Sequence, residues 1–251
     1  MAPVLEISNV SRHFGGLIAL SDLSFGVDAG EVVGLIGPNG AGKSTLFNVI
    51  TGFFSPTKGQ VIYDGKDISG LKPHVIADRG VIRTFQLTVL FSEFSVLDNV
   101  LIGSHLKSSV GRALFSRSRV PESELKRAND ILEFTGLTPL KDFKAGDLPH
   151  GNQRVLGVAM ALGADPRVLL LDEPVTGMNL EEIKTMTDLV RSLQAERGIT
   201  VVIVEHNVHT VMNLCHRVVV INFGKKIAEG TPDEVRRNED VIEAYLGREA
   251  A

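Results

Sequence analysis

Hydrophobic and polar positions divide the chain into two kinds of segment. Residues 4–10, with Val4, Leu5, Ile7 and Val10, follow a two-residue rhythm and predict a strand, and residues 21–27, with Leu23, Phe25 and Val27 on one face, predict a second. Short apolar runs rich in β-branched residues at 31–36, 168–171 and 200–204 read as buried strands, and residues 81–85 as another. Residues 60–63 run into Asp64-Gly65, a hairpin signal, and residues 218–221 and 225–228 pair around Asn222-Phe223-Gly224. Helical spacing takes over at 96–104 and at 122–135, where Leu125, Ala128, Ile131, Leu132 and Phe134 precede a stop at Gly136. It returns at 152–162, at 181–197 before a Gly198 cap, and at 232–246. Strand-rich flanks, 1–86 and 165–251, thus enclose a mainly helical stretch, 87–164. The pattern predicts a single α/β domain with a small antiparallel β layer and an inserted α-helical sub-domain.

The strand at 31–36 leads into Gly37, Pro38, Asn39, Gly40, Ala41, Gly42, Lys43, Ser44 and Thr45, which fit G-x-x-x-x-G-K-[ST]. Helical character follows directly. A glycine-rich turn between strand and helix wraps backbone N–H groups around an anion, and the helix N-terminus adds about half a positive charge there. Lys43 is placed to reach the β- and γ-phosphates, and the Ser44 hydroxyl to ligate Mg²⁺. The core is therefore that of a P-loop NTPase, with a nucleoside triphosphate and Mg²⁺ as its expected ligands.

Composition narrows the setting. The 251 residues are 43% apolar and 22% charged, with net charge −4. That balance is ordinary for a soluble globular protein and argues against bulk nucleic-acid binding. The lone cysteine, Cys215, fits a reducing compartment. Strand-like sequence from Val4 leaves no room for a signal peptide, and no apolar run approaches the roughly 18 residues of a membrane span. Residues 104–121 carry Lys107, Arg112, Arg117 and Arg119 with no acid between Asp98 and Glu122, and read as a solvated basic loop or as a docking or lipid-headgroup surface.

Further chemistry sits at strand ends. The run at 168–171 feeds into Asp172-Glu173, and alternation along an extended segment can aim one acid at the metal and the next at the attacking water. Asp172 is then a metal contact and Glu173 a general base. His206, after the run at 200–204, is placed to sense the γ-phosphate or to serve as an ordinary core histidine. Phe14, in the glycine-flanked stretch Arg12-His13-Phe14-Gly15-Gly16, either stacks on a purine or anchors the loop. A zinc site from His206, His209, Cys215 and His216 lacks a second cysteine.

Taken together, these residues resemble the ATP-binding subunit of an ABC transporter. The match runs in order through Phe14, the P-loop, Gln86 as Q-loop glutamine, and Leu148-Pro149-His150-Gly151-Asn152-Gln153 at the signature. It continues through Leu169–Glu173, Thr176–Asn179 as D-loop, and His206 as switch histidine. The resemblance implies that Phe14 stacks on adenine, that Ser44, Gln86 and Asp172 attend Mg²⁺, and that Glu173, His206 and Gln86 serve hydrolysis. It further implies that Gly151 and Asn152 meet the nucleotide held by a second ATPase subunit, identical or homologous. Pro149 and His150 replace the usual Ser and Gly, removing one hydroxyl, and Asn179 replaces the usual aspartate.

Arg83-Thr-Phe-Gln86, the basic segment, Asn222-Phe-Gly-Lys225 and the tail from Glu229 to Gly247 are similar to ATPases of branched-chain amino-acid importers, with urea-uptake ATPases close by. The implied partners are transmembrane permease subunits and, indirectly, a solute-binding protein, with no nucleic acid. The implied location is the cytoplasm, peripheral on the inner face of the cell membrane. Rival readings are a soluble ABC ATPase, whose repair types insert a long coiled coil and whose translation types carry two such domains, and a small-molecule kinase, which needs no signature or switch histidine.

Overall fold

The computed structural model describes residues 2–84, 90–104 and 120–246. In chain order the first half runs β1 (Leu5–Phe14), β2 (Leu17–Val27), β3 (Val32–Ile36), α1 (Lys43–Ile50), β4 (Lys58–Tyr63), β5 (Lys66–Asp67), α2 (Pro73–Asp78) and β6 (Val81–Arg83). The helical stretch holds α3 (Val96–Gly103), α4 (Glu122–Phe134) and α5 (His150–Gly163). The remainder runs β7 (Val168–Asp172), α6 (Leu180–Arg197), β8 (Thr200–Val204), α7 (Val208–Leu214), β9 (Arg217–Asn222), β10 (Lys225–Gly230), α8 (Pro232–Arg236) and α9 (Glu239–Leu246).

Two sheets form. One is antiparallel, in the order β2-β1-β4-β5, and the other follows β10-β9-β3-β8-β7-β6. In the larger sheet β9, β3, β8, β7 and β6 are mutually parallel, and β10 adds an antiparallel edge. Strands β3, β7 and β8 are buried at every position, which is why they read as continuous apolar runs. Alternate residues divide between two cores. Val33, Leu35, Leu170 and Val202 join the antiparallel sheet and α1, while Ile36, Leu169, Leu171 and Val201 join the helical side. The antiparallel layer and the helices thus cover opposite faces of one sheet. In the helical stretch α3 and α5 cross so closely that a Cβ on Gly103 would drive into the Met160 carbonyl.

Several boundaries differ from the pattern-based ones. β1 extends to Phe14 because a bulge at Asn9 (φ 49°) breaks the alternation of apolar residues while pairing with β2 resumes at Val10. Phe14 therefore ends a strand, opposite Leu17, and only Gly15-Gly16 form the turn. α5 begins at His150 rather than near Asn152, since the Pro149 carbonyl already accepts from Gln153 N–H at 3.0 Å. The closing helix is two helices: the Asn238 side chain caps the second by accepting from Val241 N–H at 3.2 Å. α2 and α7, six and seven residues long, are too short to show a period and are absent from the pattern. Gln86 and residues 105–119 of the basic segment lie outside the described residues.

Candidate functional site

Because five strands of the large sheet are parallel, their carboxyl ends share one edge, where open α/β sheets place ligand sites. β3 delivers the P-loop there, β7 delivers Asp172 and Glu173, β8 delivers Glu205 and His206, and β6 delivers Arg83. The neighbours β3, β8 and β7 put the P-loop and Glu173 two strand spacings apart, about 10 Å, with His206 between.

Gly42 caps α1 with φ 108°, and a Cβ there would stand 2.8 Å from the Ala19 carbonyl oxygen, so only glycine fits. Lys43, buried in the first turn, donates from Nζ to the carbonyls of Gly37 at 2.6 Å and Pro38 at 3.0 Å. Burial lowers its pKa, and the nearby carboxylates of Glu173 and Asp172 oppose that shift. The hydroxyl of Ser44, the next residue, is exposed on the cleft.

Asp172 ends β7 with its Oδ2 held by Arg83 Nη2 at 2.6 Å, both side chains nearly buried. Arg83 Nη1 also donates to Asn48 Oδ1 at 2.6 Å, tying β6, α1 and β7 together. Ser44 and Asp172 each offer an oxygen of the kind Mg²⁺ takes. Ser44 lines the cleft, whereas Asp172 is buried behind it with Oδ2 engaged by Arg83, and Oδ1 carries no bond from the described residues.

Glu173 turns the chain with φ 50°, a left-handed conformation costing a non-glycine residue of order 1–3 kcal/mol. Its N–H donates to Val204 O at 2.8 Å, fixing the turn to β8. His206 Nε2 lies 2.6 Å from Glu173 Oε1, and Thr176 donates to Oε2 at 3.3 Å. An ionised carboxylate only accepts, so Nε2 carries the hydrogen in that pairing. Glu173 and His206 thus form one hydrogen-bonded pair facing the P-loop across a cleft of about 530 Å³. Phe14 lies on the rim of the same cleft, packed edge-on against Phe54 at 5.1 Å, with the Arg12 guanidinium 4.5 Å from its ring centroid. Phe14 therefore anchors local packing and faces the cleft at once.

Gly151 and Asn152 do not line this cleft. They open α5, and a Cβ on Gly151 would strike the Glu182 carboxylate. Glu182 accepts from Asn179 N–H at 2.9 Å while Asn179 Oδ1 accepts from Glu182 N–H at 3.0 Å, a capping box that fixes the D-loop end of α6 beneath the signature. The His150 ring stands beside Gly177. Of the remaining residues weighed as zinc ligands, His209 lies against Asn213, and no metal-holding group of His, Cys, Asp and Glu forms among the described residues. His216 Nδ1 accepts from Val32 N–H at 3.0 Å, and burial pushes the Cys215 thiol up to about 12.

Two site residues carried no assigned role in the sequence. Glu205, 1% exposed, accepts from Val175 N–H at 2.8 Å and His206 N–H at 3.2 Å, bracing the turn beyond Glu173 against the histidine. The signal available was a carboxylate closing the apolar run Val201-Val202-Ile203-Val204. Tyr245 of α9 lies against the Gly37 backbone at the start of the P-loop, a neighbour that nothing in the sequence pairs with it.

A P-loop on β3, a carboxylate pair on β7 and a histidine on β8 define a P-loop nucleoside triphosphatase. Residues 20–176 match the family described as ABC transporter, and residues 225–251 match the family described as branched-chain amino acid ATP-binding cassette transporter. The chain belongs to the ABC transporter ATP-binding family. It is 42% identical over 250 residues to the high-affinity branched-chain amino acid transport ATP-binding protein BraF of Pseudomonas aeruginosa, covering 98% of each chain. Among solved structures it is similar to the ADP conformation of MJ1267, an ATP-binding cassette of an ABC transporter. That match has 36% identity and a TM-score of 0.88 over 99% of this chain and 100% of that one. It is also similar to the dimeric structure of MJ0796, a bacterial ABC transporter cassette, at 26% identity and a TM-score of 0.78, covering 91% and 98%.

Proposed function

We propose that this chain binds and hydrolyses ATP to power an importer of branched-chain amino acids. The carrying observation is the Glu173–His206 pair, 2.6 Å apart, facing the P-loop across one cleft. Phosphates on the loop draw Lys43 Nζ from the Gly37 and Pro38 carbonyls, exchanging neutral acceptors for charged ones. Ser44, Asp172 and Gln86 are the residues to hold Mg²⁺, which when bound neutralises charge on the phosphate oxygens. Glu173 Oε1 accepts a proton from the attacking water as general base, and His206 orients that carboxylate. Phe14 offers its ring to adenine.

A dimeric relative supports a second ATPase subunit facing this one, with Gly151 and Asn152 directed at the nucleotide of the partner. The division into an α/β core (1–86 and 165–251) and an inserted helical sub-domain (87–164) supplies the coupling element. The helical part exposes Phe91 (43%), Phe94 (39%) and Phe143 (56%), an apolar surface suited to transmembrane permease subunits. Among the described residues no helix is long and apolar enough to cross a membrane, so the reading places the chain peripherally on the inner face of the membrane, docked to the permease.

The test is Glu173→Gln, expected to retain ATP binding, to hydrolyse about 10²–10⁴-fold more slowly and to accumulate an ATP-bound dimer in size-exclusion chromatography. Normal turnover removes Glu173 from its role. For the solute, deleting the gene should abolish leucine, isoleucine and valine uptake and spare urea uptake; the opposite pattern moves the chain to the urea group.

A further inference from the structure

The turn Asn222-Phe223-Gly224-Lys225, which joins β9 to β10, takes no part in the chemistry assigned above. Its two central residues are both left-handed, Phe223 at φ 45° and Gly224 at φ 75°. A two-residue hairpin loop of this kind favours Asn-Gly, because an aromatic side chain at the first position is sterically disfavoured. Phe223 is also 83% exposed and belongs to neither core. Turn geometry and core packing therefore both argue against phenylalanine at this position.

Its location supplies a reason. Phe223 lines the P-loop cleft on a rim with Phe14, Leu17 and Ile18, which are 37%, 65% and 55% exposed. It also borders an adjoining cavity of about 760 Å³ under α9, so its ring can turn without displacing a core side chain. The turn is held to the P-loop by Gly224 N–H donating to Ala41 O at 2.8 Å, and to β2 by Ser21 N–H donating to Gly224 O at 2.9 Å. An apolar, partly aromatic rim above a phosphate-cradling floor suits the base and ribose of a nucleoside triphosphate.

We propose that Phe223 is a second aromatic contact for the base-and-ribose end of the nucleotide bound in this cleft. This rests on the reading of the cleft as an ATP site. The left-handed phenylalanine is then a local cost in the free protein, offset when the nucleotide covers the ring.

The test is Phe223→Asn in the full chain, since asparagine suits the left-handed position. Three measurements follow: the melting temperature without nucleotide, and calorimetric affinities for MgATP and for magnesium tripolyphosphate, which lacks base and ribose. The expected variant melts no lower than wild type, loses about 5- to 100-fold in ATP affinity, the range of base–aromatic stacking, and binds tripolyphosphate as wild type does. Phe223→Tyr should keep ATP affinity. Unchanged ATP affinity in Phe223→Asn overturns the proposal. An equal loss for ATP and tripolyphosphate also overturns it, because the turn would then act by shaping the P-loop. Wild type binding neither ligand refutes the ATP reading itself, a result distinct from both.

Discussion

Glu205 permits the sharpest energetic prediction. Its side chain is 1% exposed, and its carboxylate accepts from the backbone N–H groups of Val175 at 2.8 Å and His206 at 3.2 Å, and from that of Asn207. Glu205→Ala removes every one of these acceptors from a buried site. Each stranded donor costs about 1–3 kcal/mol, and a water entering the space left behind recovers part of it, so a net loss of about 2–6 kcal/mol is expected. Against a typical total of about 5–15 kcal/mol this is large. Glu205→Gln keeps the volume and one acceptor but turns an NH₂ group toward a donor, for a loss of about 1–3 kcal/mol.

The pH dependence of Glu205 has a definite sign. Burial, the largest influence, raises its pKa above the ordinary 4.5, against the lowering effect of the backbone donors. The folded protein thus keeps a proton that the unfolded chain has already lost. The proton-linked part of the Glu205 contribution to stability is full below about pH 4.5 and is lost as pH rises through the raised value, while the hydrogen bonds it accepts persist. Glutamine does not titrate, so the stability advantage of wild type over Glu205→Gln should narrow as pH rises across that window. Urea denaturation at several pH values, with midpoints and slopes compared, measures all three proteins. An alanine variant within about 1 kcal/mol of wild type refutes the bracing role, and an advantage that widens with pH refutes the assignment of the titration.

Other outcomes follow from the same geometry. Arg83→Ala leaves Asp172 charged and buried without its 2.6 Å partner, and should destabilise by about 3–5 kcal/mol in denaturant unfolding; a change under about 1 kcal/mol would mean that water screens the pair. Phe14→Ala should weaken ATP binding by roughly 1–3 kcal/mol in calorimetry with the fold intact by circular dichroism; unchanged affinity would leave Phe14 only its packing against Phe54 and Arg12.

The sequence alone carried whatever depends on neighbours along the chain. The buried strands β3, β7 and β8 were legible because two-sided burial demands unbroken apolar runs, and α6 because its apolar stripe and Gly198 cap are local. The P-loop was legible because strand, glycine turn and helix are consecutive. Phe14, Glu173 and His206 were singled out by residue type and by position near strands, and the structure lines one cleft with them. Local pattern could not carry β1 past its bulge at Asn9, separate α8 from α9 at Asn238, or reveal α2 and α7, which span less than two full turns.

Tertiary structure alone decided the partners of each charge. Arg83 is 89 residues from Asp172, and Glu205 is 30 from Val175; parallel strand order sets those pairs, and order in a sheet leaves no periodicity in a sequence. The same holds for the Phe223 turn, whose hairpin signal is local but whose place beside the P-loop follows from β9 lying next to β3. Hydrophobic rhythm records which face of an element is buried, whereas the residue on the other side of that burial is chosen by how the elements pack.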